Sequence, residues 1–175
     1  ATMVCFPYIE YGELVYWQAR EIINKRYEFP EDTGTRSAEN FLHGFDFIEP
    51  HTDIILVEAI FNEVVIGEGA MATGGAALKH RQYRRIRDVL EPTKIILAPD
   101  NDPAGRASLS VNEDMLRQSF KSRIYYCIPP NPYKDWNDMA KATDRLNNMT
   151  VIRDYIYTNH KPLDLAALSR LRIKV

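Results

Sequence analysis

Ile95 to Pro99 is an almost wholly apolar run that stops at Asp100-Asn101-Asp102, inside the stretch KIILAPDNDPAGRASL. A run this short, bounded at once by turn residues, reads as a buried strand of a parallel sheet. The acids then stand at its carboxyl end, where open α/β sheets bind their ligands. Asp102 precedes Pro103, Ala104, Arg106, Ala107 and Leu109, so it is a candidate N-cap, with Pro103 at the first helical position and a helix running to about Phe120. Two carboxylates pinned between a strand and a capped helix cannot retreat from each other, and a hard divalent cation such as Mg²⁺ or Mn²⁺ relieves their repulsion. A polar turn with one N-cap explains the same residues without a metal.

The pattern around this turn repeats. From Asp53 onward strands and helices alternate: Ile54 to Val57, a helix over Ile60 to Ile66, a short strand at Ala70 to Ala72, a helix from about Ala77 to Leu90, the strand from Lys94 to Ala98, the helix to Phe120, and a strand from Arg123 to Ile128. Such alternation implies parallel strands with helical crossovers, hence an α/β fold with a largely parallel sheet. Glu58 ends its strand in the topological place that Asp100 occupies later, so the two are expected on neighbouring strand ends. Asp135 and Asp138 lie in a loop at another carboxyl edge, where they either extend the acidic cluster or cap the next helix. Met139 to Tyr157 is helical in character, and Leu163 to Leu171 reads as a further short helix.

The first fifty residues have a different texture. Met3 to Ile9 and Leu14 to Ala19 read as strands joined through Glu10-Tyr11-Gly12-Glu13. Arg20, Lys25, Arg26 and Arg36 follow, basic side chains suited to phosphate contacts, with Tyr16, Trp17 or Tyr27 available for stacking. Solvated arginines around an aromatic core are the plainer reading of that composition. The division expected is a small mixed α+β basic subdomain over 1–50, an α/β domain over 51–141, and a C-terminal helical segment over 142–175. The helix bearing Lys79, His80, Arg81, Arg84, Arg85 and Arg87 has a basic side, which fits either a nucleic-acid face or a solvated one.

Composition narrows the function classes. A chain 45% hydrophobic and 26% charged, with net charge −2, is neither a disordered tail nor a uniformly basic nucleic-acid coat. No apolar run approaches a membrane span and the first residues do not resemble a signal peptide, so no membrane partner and a cytoplasmic location are expected. Two distant cysteines, Cys5 and Cys127, and four scattered histidines suggest neither a disulfide framework nor a zinc site. Starting at Ala1 directly in strand-like sequence, the chain reads as a portion of a longer one.

Taken in order, LVEAIFNEVVIG, AMATGG, IILAPDNDPAGRA and KDWNDMAK resemble the segments of the TOPRIM domain in bacterial and phage DNA primases of the DnaG type. Upstream, VCFPYIEYGELVYWQARE, RYEFPEDT and LHGF are similar to the basic subdomain that precedes TOPRIM in those primases. The resemblance covers about Val4 to Lys141. It implies that Glu58, Asp100 and Asp102 are catalytic and metal-binding carboxylates, that Asp135 is a later acid of the same site, and that Gly105 and Arg106 belong to its turn. It implies further that Arg20 and Arg26, with Lys25 and more approximately Arg36, hold template or nucleotide phosphates. Two positions depart from the family pattern: Ala59 replaces a glycine, and Asn62 replaces an acid one turn beyond Glu58. Asn offers an oxygen but neither charge nor base.

The activity implied is DNA-directed RNA primer synthesis by metal-dependent nucleotidyl transfer, with Mg²⁺ or Mn²⁺ as cofactor. Its partners would be a single-stranded DNA template, ribonucleoside triphosphates and a replicative helicase met outside this portion. A TOPRIM nuclease would use the same carboxylates with water as nucleophile, and a catalytically weakened nucleic-acid-binding module would keep the fold.

Overall fold

The computed structural model describes residues 2–31, 37–143 and 150–172. Met3–Glu10 (β1) and Glu13–Glu21 (β2) pair antiparallel, and Tyr27–Glu28 (β3) joins β2 to complete a three-stranded sheet. Tyr11 and Gly12 both have left-handed φ, 55° and 77°, the backbone of a tight hairpin turn matched to strand twist. The turn N–H groups of Tyr11 and Gly12 donate to the Asp46 carboxylate at 2.5 and 2.8 Å, which fastens the hairpin tip to the rest of the chain.

The second sheet contains Asp53–Val57 (β4), Ala70–Ala72 (β5), Lys94–Leu97 (β6), Ile124–Tyr126 (β7) and Lys161–Pro162 (β8), in the order β5-β4-β6-β7-β8. The first four strands are parallel and β8 runs antiparallel to β7. Strand parity sorts the core. Ile54, Leu56, Ile95 and Leu97 face one side with Leu109, Leu116 and Phe120, while Ile55, Val57 and Ile96 face the other with Ile60, Ile66, Trp136 and Ile156. The helices are Ile60–Ile66 (α1), His80–Arg85 (α2), Pro103–Phe120 (α3), Trp136–Ala142 (α4), Thr150–Asn159 (α5) and Leu165–Arg172 (α6). The α+β architecture is thus a small mixed lobe followed by a mostly parallel, helix-flanked sheet.

The helix expected from Ala77 begins only at His80, and its end over Ile86–Leu90 widens into a π-helical turn. The strand β8 is not among the elements expected from sequence, because two residues carry no period. The helical stretch from Met139 to Tyr157 is two helices, and residues 144–149 between them lie outside the described residues.

Docking of the hairpin on the larger sheet is polar as well as apolar. Phe6, Tyr8 and Tyr16 belong to the same buried cluster as Ile55 and Ile96. Glu10, only 3% exposed, accepts from the Arg85 guanidinium at 2.7 Å, so a charge on the hairpin is compensated from α2. Lys79 pairs with Glu39 and Arg87 with Asp88. Much of the basic face of this helix is therefore engaged in local pairs. Removing one partner of a buried pair leaves the other uncompensated. Arg85→Ala is expected to destabilise the chain by about 3 kcal/mol, the low end for such pairs because Arg85 is partly exposed. Arg81→Ala, on the exposed side of the same helix, is expected to change stability by less than about 0.5 kcal/mol. Urea unfolding of the two variants checks the contrast.

Candidate active site

Glu58 follows β4 directly and Asp100 lies three residues beyond β6, its neighbour in the sheet. The Ala98 N–H donates to Leu56 O at 2.8 Å, extending the pairing to the strand ends, and the Glu58 carboxylate accepts from the Asp100 backbone N–H. Its Oε1 is buried with no hydrogen-bond partner among the described residues. Burial first, then the charges of Asp100 and Asp102, push the Glu58 carboxyl up to about 7. Asp100 is raised as well, by burial and then by Asp135, with the Asn62 amide and Lys134 opposing the shift. Four carboxylates from three loops thus sense one another in one corner.

Each of the three aspartates also has a local structural task. Asp102 caps α3, accepting from the Gly105 N–H at 2.8 Å, with Pro103 at the first helical position as the sequence predicts. Asp135 caps α4, accepting from the Asp138 N–H at 2.6 Å. One oxygen of Asp135 thus caps a helix while its charge acts on Asp100. Asp100 Oδ1 accepts from Asn62 Nδ2 at 2.8 Å, and Asn62 Oδ1 accepts from the Asn137 N–H at 3.1 Å. Asn62, 2% exposed, bridges α1, the acidic turn and the start of α4 with both ends of its amide. No second-oxygen hydrogen bond engages Asp100, Asp102 or Asp135 among the described residues. In this arrangement no three His, Cys, Asp or Glu side chains among the described residues stand close enough to hold one metal ion together. The donor chemistry nevertheless fits a hard cation: carboxylate oxygens only, crowded by like charge, with an orphaned oxygen on Glu58.

The turn is held by contacts that the sequence pattern does not mark. Asn101 N–H donates to Lys134 O at 2.7 Å, and its side-chain amide donates to Asn131 Oδ1 and Tyr133 O, tying the acidic turn to the loop before α4. Arg106 donates to Asn101 Oδ1, so its guanidinium braces the turn. Fully buried Trp136 donates from Nε1 to Ala98 O at 3.0 Å, pinning α4 under the end of β6. Gly105 is obligatory for a steric reason: a Cβ there would lie 2.3 Å from Asp100 O.

A groove of about 780 Å³ runs between this corner and the hairpin lobe, with Arg20, Lys25 and Tyr27 on one wall and Asn62, Asp100 and Asp135 on the other. Lys134 and Lys141 also line it. Arg20 and Lys25 form no salt bridge with any carboxylate among the described residues, whereas Arg26 is taken up by Glu28 at 2.9 Å and approaches Glu21 at 4.0 Å. Arg36 lies outside the described residues. Glu63 and Glu68 point elsewhere, bonded to His43 and Arg153. A larger, mostly apolar cleft of about 860 Å³ between α3 and α6 contains none of the four acids.

A family model described as Toprim-like matches residues 49–140. The chain belongs to the Toprim-like family. No curated protein matches it. Among solved structures, the Toprim-like chain is similar to a DNA primase domain from Pseudomonas aeruginosa, with TM-score 0.71 and 17% identity, covering 99% of this chain and 56% of that one. It is also similar to the DnaG primase catalytic domain bound to ssDNA, with TM-score 0.74 and 16% identity over 99% and 56% of the two chains. The primase fragment of the bacteriophage T7 primase-helicase gives TM-score 0.63 and 16% identity over 83% and 60%. The Toprim-like chain thus spans 56–60% of the length of these structures and has the fold of the DnaG and phage primase catalytic core.

Two outcomes follow from this geometry. Gly105→Ala is expected to displace the acidic turn and cost about 1–3 kcal/mol, the range for overpacking, measured by denaturant unfolding. In chelator, the raised Glu58 carboxyl makes the folded chain bind a proton that the unfolded chain has released. Stability is therefore expected to fall as pH rises from 4.5 to about 7, and Glu58→Gln to flatten that slope in thermal unfolding across the window.

Proposed function

We propose that this Toprim-like chain is the catalytic core of an RNA-primer-synthesising enzyme, acting on a single-stranded DNA template with ribonucleoside triphosphates. The observation that carries the reading is the groove in which Arg20 and Lys25, free of carboxylate partners among the described residues, face Asp100 and Asp135. Nucleic acid and triphosphates are polyanions, so a basic wall holds phosphates while an acidic wall calls for cations. The family membership and the likeness in fold to primase catalytic cores support the same assignment.

In this reading residues 1–50 form the basic subdomain, 51–141 the Toprim-like domain and 142–175 a C-terminal helical segment. Glu58, Asp100 and Asp102 are the cation-holding carboxylates, and Asp135 is an outer partner. Bound there, Mg²⁺ or Mn²⁺ would lower the pKa of the attacking 3′-hydroxyl and offset charge on the transferring and leaving phosphates. Arg20 and Lys25 position template or nucleotide phosphates, and Arg36 shares that role. Arg26 joins them by exchanging Glu28 for a phosphate. Arg106 positions the turn through Asn101 instead of touching substrate. Asn62 holds Asp100 in place and contributes no charge of its own. A replicative helicase would be met through regions outside this portion.

Ribonucleotide incorporation on single-stranded DNA with Mg²⁺ or Mn²⁺ tests the proposal. Template-dependent product is expected, with a loss of at least about 100-fold in Asp100→Asn and Asp102→Asn, the scale of removing a preorganised electrostatic group. Absence of product under both metals, while DNA still binds, would reduce the chain to a nucleic-acid-binding module. Acid-dependent cleavage of DNA would make it a nuclease.

A further inference from the structure

Arg20, Tyr27 and Phe61 line the groove, and Phe29 beside Tyr27 extends them into a ladder of four flat groups. Tyr27 and Phe29 lie parallel within 7° at 6.0 Å between centroids, and both are exposed, at 43% and 51%. The Arg20 guanidinium stands 5.4 Å from the Tyr27 ring centre and 4.7 Å from that of Phe61. Phe61 is anchored edge-on against Phe6 at 5.1 Å, and the residue after it is Asn62, bonded to Asp100. The planes therefore step from solvent to the acidic corner. The two outer rungs serve no core, unlike Tyr16, which is buried.

Backbone pairing sets the direction of the ladder. Pairing of Arg20 with Tyr27 puts these two side chains on one face of the lobe, and the parallel ring contact sets Phe29, just beyond β3, beside Tyr27. Lys25, Lys134 and Lys141 line the same groove and supply cations for phosphates. Exposed rings next to cations without carboxylate partners suit a ligand with flat faces and a charged backbone. A folded protein partner would supply neither in register.

We propose that Phe29 and Tyr27, continued inward by Arg20 and Phe61, form a stacking platform for unpaired bases of a single-stranded nucleic acid on its way to the acidic corner. The proposal rests on the reading of the groove as a template site. Stacking on these faces is indifferent to base identity, so the platform orders the strand and leaves sequence choice to other contacts.

Binding of dye-labelled oligo-dT by fluorescence anisotropy, with 2-aminopurine oligonucleotides as a stacking reporter, tests it. Tyr27→Leu and Phe29→Leu keep apolar bulk on an exposed strand, and circular dichroism checks that they fold. Each is expected to weaken binding roughly tenfold and the pair to abolish 2-aminopurine quenching, while Tyr27→Trp restores both. The salt dependence should be unchanged in these variants, whereas Lys25→Ala lowers its slope by about one. A folded leucine pair that binds and quenches like the wild type, beside a weakened Lys25→Ala, overturns the platform alone. A folded wild-type chain that does not bind oligo-dT at all overturns both the platform and the groove reading.

Discussion

Two parallel strands that end side by side fix carboxylates in a place from which they cannot withdraw. The register Leu56 to Leu97 sets Glu58 beside the turn that carries Asp100 and Asp102, and the Asp100 N–H closes onto Glu58. Charge in such a corner is unfavourable, as the raised Glu58 carboxyl records. The fold maintains it because the backbone there is held for other reasons. Trp136 locks α4 to Ala98 O, Gly105 lets α3 start against Asp100, and Asn101 ties the turn to the next loop. Stability from sheet and helix packing offsets this local electrostatic cost.

The hairpin lobe gives that corner its opposite wall. Its position depends on the Asp46 cap of the hairpin tip, the buried Glu10–Arg85 pair and the apolar contact of Phe6 and Tyr8 with the larger sheet. These contacts lie away from Arg20 and Lys25, which leaves those cations available in the groove. Neighbouring Arg26 differs in having Glu28 within reach on β3. The same sheet thus separates basic residues held in local pairs from those available to an anion.

Contiguous residues encode only part of this arrangement. The run Ile95 to Pro99, the Asp102 cap and Pro103 are local signals, and β6 and α3 follow them closely. Glu58 is legible in the sequence because it repeats the topological position of Asp100. The remainder depends on contacts distant in sequence. Asn62 joins Asp100 and Asn137 across 38 and 75 positions, and no local pattern encodes a bridge of that span. Tyr16 and Tyr27 look alike in composition, yet the hairpin buries one and exposes the other. Arg26 reads as a free cation until β3 pairs with β2 and brings Glu28 to it. The strand β8 and the π turn after α2 are too short or too irregular to impose a period.

The central claim is that the corner formed by Glu58, Asp100 and Asp102 is a cation site and not merely a polar turn. Anomalous diffraction at the manganese edge from crystals soaked in Mn²⁺ addresses it most directly. The account predicts a peak within coordination distance of the Glu58 and Asp100 carboxylates, with the Asp102 side chain turned toward it. A chain that binds Mn²⁺ only elsewhere, with these three carboxylates unchanged at saturating metal, would contradict it.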